Sequence, residues 1–201
     1  MANLAREYRS MTPLVIETRD ADGNKTFTAG GYATTFDEPY LIYELDGVKY
    51  YERVDPHALD DADMEDVVFR FDHTGHVYAR TKNKTLSLAV DDHGLKVSAN
   101  LSTTTAAKQM DEEIRTGLID KMSWAFAVSE DSYNNETNTR SILKIKKVYD
   151  VSAVTFPADS DTDISARSFV DGVIERKRAE GLERRKRAMT MLIDSYIGKG
   201  E

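Results

Sequence analysis

The chain has 201 residues, 40% hydrophobic and 31% charged, with a formal net charge of -8 and no cysteine. That length suits one domain with an appendage, the apolar runs are too short to span a bilayer, and the missing cysteine excludes thiolate nucleophiles, thiolate metal sites and disulfides. The acidic balance argues against a protein that coats nucleic acid, and the charged N-terminus "MANLAREYRSM" lacks the apolar core of a secretory signal, so a soluble protein with no need of an oxidising compartment is expected.

In chain order, "FTAGGYATTF" at 27–36 reads as a strand whose Gly30-Gly31 break marks a bulge or a close backbone approach. "LIYEL" and "VKYYERV" flank Asp46-Gly47, the signal for a type I′ hairpin. Asp55-Pro56 opens a short helical turn, and "DDADMED" is an acidic loop. "VVFRFDH", "HVYART", "TLSLAV" and "GLKVSANL" are strands joined by short turns, which predicts antiparallel neighbours. "TTTAAKQMDEEIRTGLI" is a helix capped near Thr104 and ended by Gly117, with Ala107, Met110, Ile114 and Leu118 on one face. The strands "MSWAFAV" and "SILKIKKVYDVSAVTF" follow, separated by the polar loop "SEDSYNNETNTR", and Pro157 ends the second.

A helical pattern then runs from Asp171 to Ile197, interrupted at Gly181. Its segment Glu175–Arg187 carries seven basic and three acidic residues, +4 on a chain whose remainder is -12. Such a segment is either a docking element or a solvated helix face laced with Glu/Arg pairs. The expected organisation is a β-rich body over 1–167 and a charged helical tail over 168–201. A mainly β, α+β body of this kind is expected to form a closed antiparallel β-barrel with inserted helices.

Acyl transfer without cysteine needs a hydroxyl, a base to take its proton and a third group to orient the base. His57 lies in a helix-start context, His93 lies in a turn, His73 ends one strand and His76 opens the next. The His73-x-x-His76 pair, with Asp72, Asp91 and Asp92 near in sequence, is also compatible with a metal site, although it lacks the helical spacing that fixes two imidazoles on one face. In "MSWAFAV", Ser123, Ala125 and Ala127 alternate with Trp124, Phe126 and Val128, so a hydroxyl between small residues faces away from the bulky, core-seeking side. Asp150, Ser152 and Val154 likewise share a face against Tyr149, Val151 and Ala153. Taken singly, a strand hydroxyl, a strand carboxylate and a strand-end histidine are also ordinary structural residues.

Three blocks read together add to this. "FDHTGHVYARTKNKTLSLAVDDHGLKVSANL", "IRTGLIDKMSWAFAV" and "VYDVSAVTFPADSDTDISAR" resemble, in order and spacing, the prohead (capsid maturation) proteases of tailed bacteriophages, over about Gly30 to Arg167. The resemblance implies the herpesvirus assemblin barrel as fold and serine endopeptidase as activity, with His73 as general base, Ser123 as nucleophile and Asp150 as the orienting acid. The family often carries Glu at the last position, and His93 is the alternative third member, since the herpesvirus relatives use a second histidine. The sequence does not single out the oxyanion donors: backbone amides or an arginine such as Arg140 or Arg80 are the alternatives. The implied substrates are the major capsid protein and the scaffold protein, with self-cleavage, inside the assembling prohead in the host cytoplasm. Pairing into a homo-oligomer is implied as well, and no cofactor, metal, membrane or direct nucleic-acid contact is called for. The competing reading is a noncatalytic β-barrel assembly or scaffold protein whose basic tail does the work.

Overall fold

The Asp46-Gly47 hairpin forms as its sequence predicts: β4 (Tyr40–Leu45) and β5 (Val48–Val54) pair antiparallel, and both turn residues have positive φ, 51° and 78°. The computed structural model describes residues 5–19, 25–155 and 164–197. Pro157 lies outside the described residues. The remaining strands are β1 (Glu7–Pro13), β2 (Val15–Arg19), β3 (Lys25–Thr35), β6 (Val68–Phe71), β7 (Val77–Arg80), β8 (Leu86–Val90), β9 (Gly94–Asn100), β10 (Lys121–Asn134) and β11 (Thr139–Val154). Two helices accompany them, α1 (Thr105–Arg115) and α2 (Ile164–Ile197).

The expected closed antiparallel barrel does not form. Among the described residues the strands make two open sheets, one of seven strands ordered β1-β10-β11-β5-β4 with β6 paired to β11 and β7 to β6, and one of four ordered β2-β3-β9-β8. Short turns between strands suggested antiparallel neighbours throughout, and that inference fails at two points. β7 and β8 are consecutive but do not pair, because the turn between them carries the chain from one sheet to the other. The 16-residue β11 also takes two parallel partners, β5 along its first part and β6 along its last. The sheets are joined at Leu14, where the chain passes from β1 in one to β2 in the other. Neither β1 nor β2 was expected from the sequence.

β10 and β11 form a hairpin longer than expected, since most of the polar segment taken as a loop is strand. Cross-strand charge supports it: Lys144 pairs with Glu130 at 2.9 Å and Arg140 with Asp131 at 2.6 Å. The predicted close approach at β3 is real, because a Cβ on Gly30 would lie 2.4 Å from the carbonyl oxygen of Val97 on β9. Trp124, Phe126, Phe69, Leu95 and Leu101 are fully buried between the elements, each contributing about 1.5–3 kcal/mol by leaving water.

α1 starts at its Thr104 cap, whose hydroxyl accepts from the Ala107 N–H at 3.0 Å, and it buries Ala107, Met110 and Ile114. Leu118, expected on the same face, is exposed, because the left-handed Gly117 turns the chain away. α2 begins earlier than its sequence pattern and runs through Gly181 without a break. Its Val170 and Val173 are buried in a second cluster with Ile42, Tyr43 and Tyr50, whereas residues 175–180 and 182–191 are exposed. Among the described residues no helix is long and apolar enough to cross a membrane.

Candidate active site

β6 ends at Phe71, and the chain turns back at once. The Thr74 and Gly75 N–H groups both donate to the Phe71 carbonyl, at 3.2 and 2.8 Å, while Asp72 N–H reaches the Ala153 carbonyl on β11 at 3.1 Å. Asp72 and His73 occupy the left-handed region, with φ of 42° and 57°, a conformation that costs about 1–2 kcal/mol per non-glycine residue. That turn folds the His73 ring over the face of β10 and β11 that carries Ser123, Asp150 and Ser152.

The structure brings all three sequence candidates together. His73 Nδ1 lies 2.6 Å from Asp150 Oδ1, and His73 Nε2 lies 2.7 Å from Ser123 Oγ. With the Nδ1–H tautomer, Asp150 accepts from the ring and Nε2 is free to accept the hydroxyl proton. The β10–β11 ladder sets this spacing, since Ser123 pairs with Ser152 across it and Ala125 pairs with Asp150. Phe126 then pairs with Val148, so Tyr149 is the extra residue of a bulge directly before Asp150. Bulges re-aim neighbouring side chains, and here the shorter aspartate makes the contact with His73.

The site is nearly dry. Ser123 and Asp150 are each 2% exposed, and the His73 side chain is 16% exposed. β1 supplies much of the cover: the Tyr8 ring meets His73 edge-on with centroids 4.6 Å apart, and just before the strand Arg6 lies over Tyr149, its Nη1 3.9 Å from Asp150 Oδ2. Ser123 Oγ is also 3.0 Å from the Arg9 carbonyl on β1. A hydroxyl carries one proton, so the Arg9 carbonyl and His73 Nε2 compete for it.

The other candidates go elsewhere. His93 sits against Tyr32 at a centroid distance of 4.5 Å, His57 contacts Asp60, and His76 tilts against Tyr78. Arg80 forms a fork with Asp66, and Arg140 is held by Glu7, Glu52 and Asp131. Among the described residues no group of three or more His, Asp or Glu side chains converges as a metal-holding cluster.

Behind β1 lies a buried ionic cluster that sequence reasoning missed. Arg9 grips Glu52 through Nε at 2.7 Å and Nη2 at 2.9 Å, Arg140 donates to both Glu52 and Glu7, and Tyr40 donates its hydroxyl to Glu52. Burial alone would raise the Glu52 carboxyl, but the charge and hydrogen bonds of Arg9, followed by Arg140, hold it below its ordinary value. Burial, and after it the Glu52 charge, pushes the Tyr40 phenol well above its ordinary range. The cluster fastens β1 to β5 and β11, and so holds the Arg9 carbonyl at Ser123. Its links between β1, β5 and β11, Arg9 to Glu52, Arg140 to Glu52 and Arg140 to Glu7, span 43, 88 and 133 residues, so no local signal marks it.

A carboxylate, an imidazole and a hydroxyl in one hydrogen-bonded line on a rigid sheet is the arrangement found in serine hydrolases. The chain belongs to the caudovirus prohead serine protease family, whose family model matches residues 14–173. A curated relative, the prohead protease of Enterobacteria phage HK97, is 32% identical over 88 residues, which is 43% of this chain and 39% of that protein. The chain thus covers well under two thirds of that relative's length. No solved structure matches it.

Proposed function

We propose that the chain is a serine endopeptidase in which Ser123 is the nucleophile, His73 the general base and acid, and Asp150 the group that orients the imidazole. The observation that carries this reading is the continuous relay, 2.6 Å from Asp150 to Nδ1 and 2.7 Å from Nε2 to Ser123. His73 takes the Ser123 proton as Oγ forms its bond to a peptide carbonyl carbon. It then returns the proton to the departing amine as the C–N bond breaks, and water releases the acyl group by the same steps. Asp150 fixes the tautomer and stabilises the imidazolium. Attack requires the hydroxyl proton to point at Nε2 rather than at the Arg9 carbonyl, so peptide binding has to favour that orientation.

Family membership supports the capsid protein and the scaffold protein of the assembling prohead as substrates, with cleavage of the chain itself. We place the protease unit in residues 1–167 and a docking function in the tail 168–201, in particular its exposed part from Glu175 to Met191. Co-expression with the capsid and scaffold proteins tests the reading. The wild-type chain should process one of them and Ser123→Ala should not; processing that persists in Ser123→Ala would overturn the assignment, and a wild type that cleaves nothing would favour a noncatalytic assembly role.

A further inference from the structure

Ser152 stands beside the relay without belonging to it, and it is fully buried at 0% exposure. Its hydroxyl accepts from the backbone N–H of His73 at 3.1 Å and donates to Asp150 Oδ1 at 2.9 Å, with His73 Nδ1 a further 3.2 Å away. We infer that Ser152 is a positioning residue of this site, joining the turn that carries the base to the carboxylate that orients it. The inference rests on the protease reading above.

Three features carry it. The turn at Asp72 and His73 is left-handed at two consecutive non-glycine residues, so it persists only while neighbouring bonds hold it, and the Ser152 hydroxyl takes the N–H of His73 itself. Asp150 Oδ1 receives two donors, His73 Nδ1–H and the Ser152 hydroxyl, which fixes the carboxylate about its own side-chain bonds. Finally, the capacity of Ser152 is used: its one proton goes to Asp150 and its acceptor face meets His73, an arrangement that alanine cannot supply and a thiol supplies only weakly. Charged or titratable groups beside the pair include Arg6 at Asp150 Oδ2, Tyr8 against the imidazole, and Arg70 on β6, which pairs in register with Ser152 and donates to the Gly75 carbonyl.

Reaction with a fluorophosphonate probe, which phosphonylates an activated serine and releases fluoride, tests this without knowledge of the peptide substrate. The full chain should be labelled and Ser123→Ala should not. Ser152→Ala and the near-isosteric Ser152→Cys should both be labelled about tenfold or more slowly, within the roughly 10²-fold cost of misplacing a catalytic group by about 1 Å. In both variants the acid limb of the rate-against-pH profile should move to higher pH, because Asp150 keeps one donor fewer and its charge favours the imidazolium more. A purely structural serine would lower the melting temperature of Ser152→Ala without moving that limb. Labelling of both variants at the wild-type rate with an unmoved profile would overturn the role of Ser152 alone. An unlabelled wild-type chain would overturn the protease reading and this role with it.

Discussion

Asp150 on β11 meets His73, in the turn after the parallel partner strand β6, across 2.6 Å although the two residues lie 77 positions apart in sequence. The bulge at Tyr149 and the left-handed turn at His73 bring the short Asp150 side chain within reach of the imidazole. Asp150→Asn should keep the fold but present an amide to Nδ1 and favour the wrong tautomer. Loss of about 10⁴-fold in turnover is expected by analogy with the same change in chymotrypsin-like triads, measured as probe labelling or capsid processing against an unchanged melting temperature.

His73→Ala and Ser123→Ala remove the two ends of the proton transfer. Each should abolish cleavage while stability changes by about 1 kcal/mol or less, the net worth of an ordinary hydrogen bond. For His73 the backbone bond to Ser152 survives the substitution, so the turn has a reason to persist. A large fall in melting temperature for His73→Ala would mark the histidine as structural, and circular dichroism melts decide the point.

Much of this was legible in local pattern. The two faces of "MSWAFAV", the Asp46-Gly47 turn and the Thr104 cap each depend on residues within a few positions of one another, and each formed. The candidate triad was legible only as three blocks matched in order, since nothing near His73 in sequence announces Ser123 or Asp150. What depended on distant pairing was lost. β1 finds its partner more than 100 residues away, the fork of β11 toward both β5 and β6 has no periodic signature, and the sheet change between β7 and β8 looks like any short turn. Ser152 was seen to share a face with Asp150, but its bond to the His73 backbone depends on a turn that the sequence does not reveal.

The buried cluster at Glu52 predicts a stability effect remote from the chemistry. Glu52→Gln leaves Arg9 and Arg140 with less compensation in a dry site, so a loss of about 3 kcal/mol is expected, at the low end for a broken buried pair because Glu7 and Asp131 remain. The folded-state value of Glu52 lies below the ordinary 4.5, so its contribution is present above that pH and is lost as pH falls through the lower folded value. The stability gap between wild type and Glu52→Gln should therefore be constant at neutral pH and narrow only in acid. Urea unfolding at neutral and acidic pH checks this, and a gap independent of pH throughout would show that Glu52 is not held ionised by the arginines.

The tail offers a test in which stability and assembly separate. Val170 and Val173 are buried against Ile42, Tyr43 and Tyr50, and Arg140 lies over the Phe169 ring at 4.4 Å, whereas residues 175–191 are exposed apart from half-buried Gly181. A chain ended after Arg167 loses those contacts and should unfold about 3 kcal/mol or more easily, from two buried valines at about 1.5 kcal/mol or more each. A chain ended after Arg178 keeps them and should melt with the full-length protein while shedding Arg184, Arg185, Lys186 and Arg187. If the exposed stretch is a docking element, the second truncation should enter proheads less readily yet label with a fluorophosphonate at the full rate. Equal incorporation of that truncation and the full chain would instead assign the basic run to a solvated face, with Lys186 and Glu183 paired at 2.8 Å as one of its surface pairs.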